Sequence, residues 1–199
     1  QTLSVALAAL GPVIGRRALD VGCGYGQLAR SLEALGAREV TGIDVTAELI
    51  ERSKQVHSSI RWEVGTLSDL GARLGPFELI TLVEVLQYIP VAASLQHAWS
   101  LLAPGGRVVA VVPNRECPIV ERAMARFPGK YLPPSAAELA EVGERLEHCS
   151  GWGLQGMLFA EDQALAPYAV SPWTRSAPFP LPSQPNRLVF AAAKASGQS

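Results

Sequence analysis

The stretch Leu19-Asp20-Val21-Gly22-Cys23-Gly24-Tyr25-Gly26-Gln27 places glycines at three alternate positions. Glycine takes positive φ without penalty and lets the backbone approach a ligand closely. Where a strand ends before such a turn and a helix starts after it, free N–H groups face whatever binds there. Asp44 lies 22 positions after Gly22. At about that separation a carboxylate ending the next strand accepts hydrogen bonds from a ribose. Each signal has a plain structural reading as well. The glycines fit a tight β–α turn, and Asp44 fits a cap on a helix starting near Thr46, a task Thr46 could perform instead. Taken together, the two favour a nucleoside-containing ligand. The dinucleotide fingerprint needs its third glycine at position 27, which is Gln27. That spacing counts against a nicotinamide or flavin cofactor.

Other chemistry finds less support. His57, His97 and His148 are scattered and form no metal-ligand spacing. They are expected in structural positions, the first two on helices and His148 at a helix end. Cys23, Cys117 and Cys149 form no close pair, and Cys117 reads as a packing thiol. No metal site is expected.

The elements that must position the turn follow from the alternation of short apolar runs with helical ones. Strands are expected at 17–21, 39–43, 60–64, 77–82 and 107–112, with helices at 27–35, 47–56 and 92–102 between them. Ser4 to Gly15 reads as a helix feeding the first strand. Such alternation means βαβ units and a largely parallel sheet covered on both faces. The run Val108-Val-Ala-Val-Val112 is the most β-branched in the chain and suits a central strand buried on both faces. The rhythm changes after Pro113. A helix is expected around 117–126. Ser135 followed by Glu138 is a capping-box pattern opening a helix over 136–146. Two late strands are expected at 154–160 and 187–193. Between them, 161–186 carries six prolines together with Tyr168, Trp173 and Phe179.

A chain of 199 residues fits one domain, burying roughly 70% of its unfolded surface without a disulfide or metal. Charged residues are 18% and the net charge is −1, which leaves no basic footprint for nucleic acid. An odd, sparse set of cysteines fits a reducing cytoplasm. No apolar run is long enough to span a membrane. The sequence begins with Gln1 rather than Met, and residues are expected to have preceded it.

Four motifs bring these observations to a family. Asp20-Val-Gly-Cys-Gly-Tyr-Gly26, Gly42-Ile-Asp44, Val83-Glu-Val-Leu-Gln-Tyr-Ile89 and Leu101-Leu-Ala-Pro-Gly-Gly-Arg-Val108 resemble class I S-adenosylmethionine-dependent methyltransferases. The likeness runs over residues 16–113 and is strongest to the small-molecule branch that includes quinone-biosynthesis enzymes. The resemblance implies a Rossmann-like α/β fold, a seven-stranded, mostly parallel sheet with an antiparallel last strand and helices on both faces. Residues 16–113 would form the cofactor half and 114–194 the acceptor half of a single domain. It also implies S-adenosylmethionine as cofactor. Asp20 and Gly22 would hold its amino-acid end, with Gly24 and Gly26 completing the turn, and Asp44 would hold the ribose. Val45 and Leu67 would sandwich the adenine, and Val83 would complete the set. The family often has Gly-Asp after the third strand, whereas this chain has Gly65-Thr66. Asp69 is left to contact adenine or to cap a short helix.

Ligands in such sheets bind beyond the carboxyl ends of the strands. Candidates for the acceptor side are therefore Glu84, Gln87 and Tyr88 after the fourth strand and Asn114 and Arg115 after the fifth. Tyr131, Trp152 and Trp173 are candidates for an aromatic wall. Glu84 and Tyr88 are the candidates for a catalytic role, and no evident base stands out. Tyr88 stands where relatives often carry His. Nucleic-acid amino-methyltransferases have an Asn/Asp-Pro-Pro-aromatic motif where this chain has Val83-Glu-Val-Leu86. A small-molecule acceptor, methylated at oxygen or nitrogen by a monomer or homodimer, is the expected function. The alternatives are a non-catalytic cofactor-binding or partner-binding member of the fold, and a nicotinamide-dependent oxidoreductase. The segment 161–186 is expected either to help enclose the acceptor or to wrap a sheet edge passively.

Overall fold

The computed structural model describes residues 2–56, 59–157 and 185–197. Trp173, Tyr168, His57 and nearly all of the segment 161–186 lie outside the described residues.

Seven strands form one sheet in the order β3-β2-β1-β4-β5-β7-β6. They are β1 (Arg17–Val21), β2 (Glu39–Asp44), β3 (Arg61–Val64), β4 (Phe77–Val83), β5 (Leu102–Pro113), β6 (Cys149–Met157) and β7 (Arg187–Lys194). The first five pair in parallel, while β7 runs antiparallel between β5 and β6. The sequence alternation dictates the parallel part, because each strand is followed by a helix that must return the chain to the same edge. Three helices lie on one face: α1 (Thr2–Leu10), α2 (Gln27–Ala34) and α3 (Ala47–Val56). They bury Leu10, Leu32 and Ile50 against Leu79, Val109 and Val111. On the other face, α4 (Leu67–Leu74), α5 (Val91–Ser100) and α7 (Ala136–Glu144) bury Leu74, Leu95 and Leu139 against Ile80, Val108 and Val112. A shorter-range helix, α6 (Pro118–Arg126), follows β5. Strand β5 thus sends Val109 and Val111 to one core and Val108, Ala110 and Val112 to the other. That is the reason its sequence is apolar without alternation.

The structure differs from the sequence expectation in three places. Strand β5 begins at Leu102 rather than at 107, because Leu102 pairs with Phe77 and the ladder then shifts register before Leu79. Gly106 permits this bend, since a Cβ there would stand 2.8 Å from the Ala103 carbonyl oxygen. Helix α4, which the sequence marked only as a capping alternative for Asp69, is a full element whose Leu67, Leu70 and Leu74 pack into the core. Strand β6 begins at Cys149 rather than at 154, and 158–160 lie outside the described residues. It is an edge strand, mostly exposed and interrupted by Gly151, Gly153 and Gly156. An apolar-run criterion misses such a strand, since its pairing with β7 and not its side chains defines it. The capping box at Ser135 and Glu138 forms as expected, both bonds being present.

Candidate cofactor site

The glycine turn sits between β1 and α2, at the carboxyl edge of the sheet. Asp20 precedes it in β1, paired in register with Gly42 on one side and Thr81 on the other. It is 2% exposed. Its Oδ1 accepts a hydrogen bond from the Thr81 hydroxyl at 2.8 Å, whereas Oδ2 is buried with no hydrogen-bond partner. Burial pushes its carboxyl up to about 7. The Thr81 hydroxyl and the Ala29 amide hold it down more weakly, and the Asp44 charge adds to the rise. An orphaned buried acceptor oxygen is costly in isolation and favours a cationic or N–H-bearing ligand.

The three glycines fall into two kinds. All have positive φ, at 66° for Gly22, 54° for Gly24 and 72° for Gly26. A Cβ on Gly22 would stand 2.7 Å from Val85 Cγ2, and one on Gly26 would run into the Trp62 ring. A Cβ on Gly24 would meet no atom within 4 Å. Gly26 is therefore explained by packing, whereas the space over Gly24 is open. Burial also pushes the Cys23 thiol up, well away from a reactive thiolate.

Asp44 ends β2 and is drawn to the turn. Its Oδ2 accepts the Gly24 N–H at 3.0 Å and its Oδ1 the Thr46 N–H at 2.8 Å. The α3 cap itself falls to Thr46, whose carbonyl accepts the first helical N–H groups. A cavity of about 230 Å³ opens over the turn, lined by Asp20, Gly22, Cys23, Gly24, Tyr25, Val83 and, from helices, Leu3, Gln27 and Leu28. Leu3 of α1 was not singled out from sequence, because nothing local marks a helix that folds back over the turn. No lysine or arginine is among these lining residues. An acidic, cation-free cavity suits a ligand carrying positive charge and does not suit a pyrophosphate. The residues present fit S-adenosylmethionine, which carries an ammonium and a sulfonium.

The adenine candidates fare differently. Val45 is 68% exposed beside Asp44, whereas Leu67 is 6% exposed and belongs to the core. The Thr66 hydroxyl donates to Asp69 Oδ2 at 2.7 Å and its oxygen accepts the Asp69 N–H at 3.2 Å. Asp69 thus serves the cap of α4, the second of its two sequence readings.

On the acceptor side the structure separates the candidates sharply. Glu84 follows Val83 with a left-handed backbone, φ 57°, a conformation costing about 1–3 kcal/mol in a non-glycine residue and enriched at functional sites. Its Oε1 accepts from Arg187 Nε at 2.6 Å. Gln87 is 4% exposed, donates its amide to the Glu84 carbonyl at 2.9 Å and leaves Oε1 buried without a partner. Tyr88 packs edge to face on Tyr131 with ring centroids 5.8 Å apart. Both rings stand near a cavity of about 310 Å³, whose lining includes Gln87, Tyr88, Lys130 and Leu132.

Asn114, Arg115 and Trp152 make their contacts with the protein itself. Asn114 is 1% exposed, and its side chain donates to the Pro185 carbonyl and accepts the Glu116 N–H. Arg115 is bound to the Pro133 carbonyl at 2.8 Å and paired with Glu138 at 3.2 Å. Trp152 stacks on Phe190 and covers Gly143. His148 takes φ 54° in the turn entering β6 rather than closing a helix.

The chain matches the model of a methyltransferase domain over residues 4–156. It is 31% identical over 186 residues to a ubiquinone biosynthesis O-methyltransferase of Xanthomonas axonopodis pv. citri (strain 306), covering 89% of this chain and 76% of that protein. A SAM-dependent methyltransferase from Archaeoglobus fulgidus has the same fold, with a TM-score of 0.72 at 16% identity over 96% of this chain and 92% of that one. A second, from Mesorhizobium loti, superposes with a TM-score of 0.68 at 20% identity, covering 96% of each chain. The acidic turn, the mixed seven-stranded sheet and these likenesses agree: the chain belongs to the methyltransferase domain family.

Proposed function

We propose that the enzyme transfers a methyl group to a hydroxyl oxygen of a small phenolic acceptor. One observation carries the reading: the acidic cavity over the glycine turn shares its wall residue Val83 with the strained turn that presents Glu84. Oxygen as the methylated atom rests on the relative's name as a ubiquinone biosynthesis O-methyltransferase; a phenol, whose pKa is about 10, is the hydroxyl class that gives up its proton most readily to a side-chain base.

The cofactor supplies a methyl group already made electrophilic by its sulfonium. The protein's work is to align the acceptor oxygen with that methyl and to take up the hydroxyl proton. Asp20 would hold the ammonium end with its unpartnered oxygen, and the open side of Gly24 would let the backbone come close. Asp44, fixed by the Gly24 and Thr46 amides, would hold the ribose hydroxyls, and the exposed Val45 would cover the adenine. Glu84 would accept the proton of the acceptor hydroxyl as the C–O bond forms and the methyl–sulfur bond breaks, leaving a neutral thioether, and would pass that proton to water. Gln87 orients the acceptor and Tyr88 with Tyr131 walls it. The protein acts as a single domain, as a monomer or homodimer in the cytoplasm and on a small molecule rather than nucleic acid. Three free cysteines support that compartment, and among the described residues no helix is long and apolar enough to cross a membrane.

Incubation with methyl-labelled S-adenosylmethionine and a panel of catechols and substituted phenols tests the reading. Label is expected in a methyl ether, with S-adenosylhomocysteine formed in equal amount. Label in none of the phenols, or label confined to amines, contradicts it.

A further inference from the structure

Arg187 opens β7 and pairs with Pro113 of β5 on one side and Met157 of β6 on the other. Glu84 follows the end of β4. Strand β5 lies between β4 and β7, so the Arg187–Glu84 ion pair reaches over the end of β5. Neighbouring strands stand about 4.8 Å apart, so β4 and β7 are about 10 Å apart, a span that calls for a side chain as long as arginine. The Arg187 side chain is 15% exposed and that of Glu84 31%. A pair this far removed from water holds its geometry better than a surface pair, and the guanidinium keeps its charge at any working pH.

The rest of the surroundings pins Glu84 from other directions. Its N–H donates to the Val111 carbonyl at 2.8 Å, and the Gln87 amide donates to its carbonyl at 2.9 Å and lies 3.5 Å from Oε2. The Val111 and Gln87 bonds hold the Glu84 backbone. On the carboxylate, Arg187 Nε donates to Oε1 at 2.6 Å. The base of β7 is itself tied down, because Asn114 donates its backbone N–H to the Asn186 carbonyl and its side-chain amide to the Pro185 carbonyl.

We propose that Arg187 is a positioning residue for the methyl transfer: from the far side of β5 it holds the Glu84 carboxylate in the orientation that receives the acceptor's hydroxyl proton. The inference rests on the proton-accepting role given to Glu84 above. It gives β7 a part in the chemistry through Glu84, one that the cofactor motifs do not contain.

The test is a double-mutant cycle in Glu84→Gln and Arg187→Gln, using the phenol that the wild type methylates fastest. Arg187→Gln is expected to lower kcat on the order of 10- to 100-fold, the scale of a misplaced catalytic group. Its affinity for S-adenosylhomocysteine should stay within about 2-fold, a difference under 0.5 kcal/mol. The double variant should be no slower than Glu84→Gln alone, and Arg187→Lys should recover most of the loss. Additive losses, or a fall in cofactor affinity that matches the fall in kcat, overturn the proposal. If Arg187→Gln does not fold, Arg187→Met carries the test. Unchanged kcat in that variant overturns the proposal, and a several-fold loss at an unshifted melting temperature supports it. Full activity in Glu84→Gln, or no phenol methylated by the wild type, overturns the underlying reading and this inference with it.

Discussion

Two stretches of the carboxyl edge are built in opposite ways. Along β1 and β2 the acidic groups leave something unsatisfied. Asp20 has a buried oxygen without a partner, Gly24 has open space on its side-chain face, and Asp44 is steered by backbone amides rather than by a cation. Beyond β5 the polar side chains satisfy one another. Asn114 ties the ends of β5 and β7 together, and Arg115 closes on Glu138 and the Pro133 carbonyl. The first stretch keeps capacity for a ligand, whereas the second uses its hydrogen bonds to hold its own shape. Glu84 and Gln87, on the turn between the two, combine both habits: one is ion-paired yet strained, the other bonded yet left with an orphan oxygen.

The contrast can be broken most forcefully at Asp20. Its carboxyl is pushed from an ordinary 3.8 up to about 7 in the folded protein, so between about pH 4 and pH 7 the folded state holds a proton that the unfolded state has lost. Stability must therefore fall as pH rises through that window, by roughly 4 kcal/mol from this group, and level off above it. Asp20→Asn should abolish that component, making the free enzyme more stable than wild type at pH 8 while weakening cofactor binding. Denaturant midpoints of both proteins at pH 5 and pH 8 decide the matter, and parallel pH profiles would remove the buried carboxylate from the account.

Within the turn, Gly26→Ala should cost about 2–5 kcal/mol of stability, from a left-handed alanine and its overlap with Trp62. Gly24→Ala should cost only about 1 kcal/mol yet weaken cofactor binding at least about 10-fold, since the new methyl group fills the ligand's space. Melting curves beside calorimetric titrations should show the two effects trading places. Asp44→Ala is expected to weaken S-adenosylhomocysteine binding by about 10- to 150-fold, the value of a hydrogen-bonded charge at 1.5–3 kcal/mol. An unchanged dissociation constant would dismiss the ribose assignment. The smallest effect belongs to the far side: Arg115→Ala, breaking a partly exposed pair, should cost about 1 kcal/mol or less with kcat/KM unaltered. A large loss of turnover there would erase the contrast between the two stretches.

What the sequence revealed follows the range over which each feature is decided. The strands β1 to β4 and the turn at Gly22–Gly26 are written in local patterns, apolar runs punctuated by glycines whose φ the structure finds positive. The Ser135–Glu138 cap is equally local. The first residues of strand β6, 149–153, were missed because an exposed edge strand with three glycines owes its existence to β7, 30 or more residues away in sequence. Leu67 reads equally well as an adenine contact or as core until the packing of α4 is known. Arg187 was invisible for the same reason: its partner Glu84 is 103 residues distant, and a single arginine at the head of a strand carries no local signal. Asn114 and Arg115 were placed at the right edge, but position alone does not reveal that their hydrogen bonds are already taken.

The central claim is that the turn at Asp20–Gly24 and Asp44 holds S-adenosylmethionine with its methyl directed toward Glu84. A crystal structure of the S-adenosylhomocysteine complex tests it most directly. The account predicts the ligand's amino group on Asp20, its ribose hydroxyls on Asp44, its backbone contact over the open side of Gly24 and its sulfur facing the turn that bears Glu84. A ligand bound away from Asp20 and Asp44, or one whose sulfur faces away from Glu84, would contradict it.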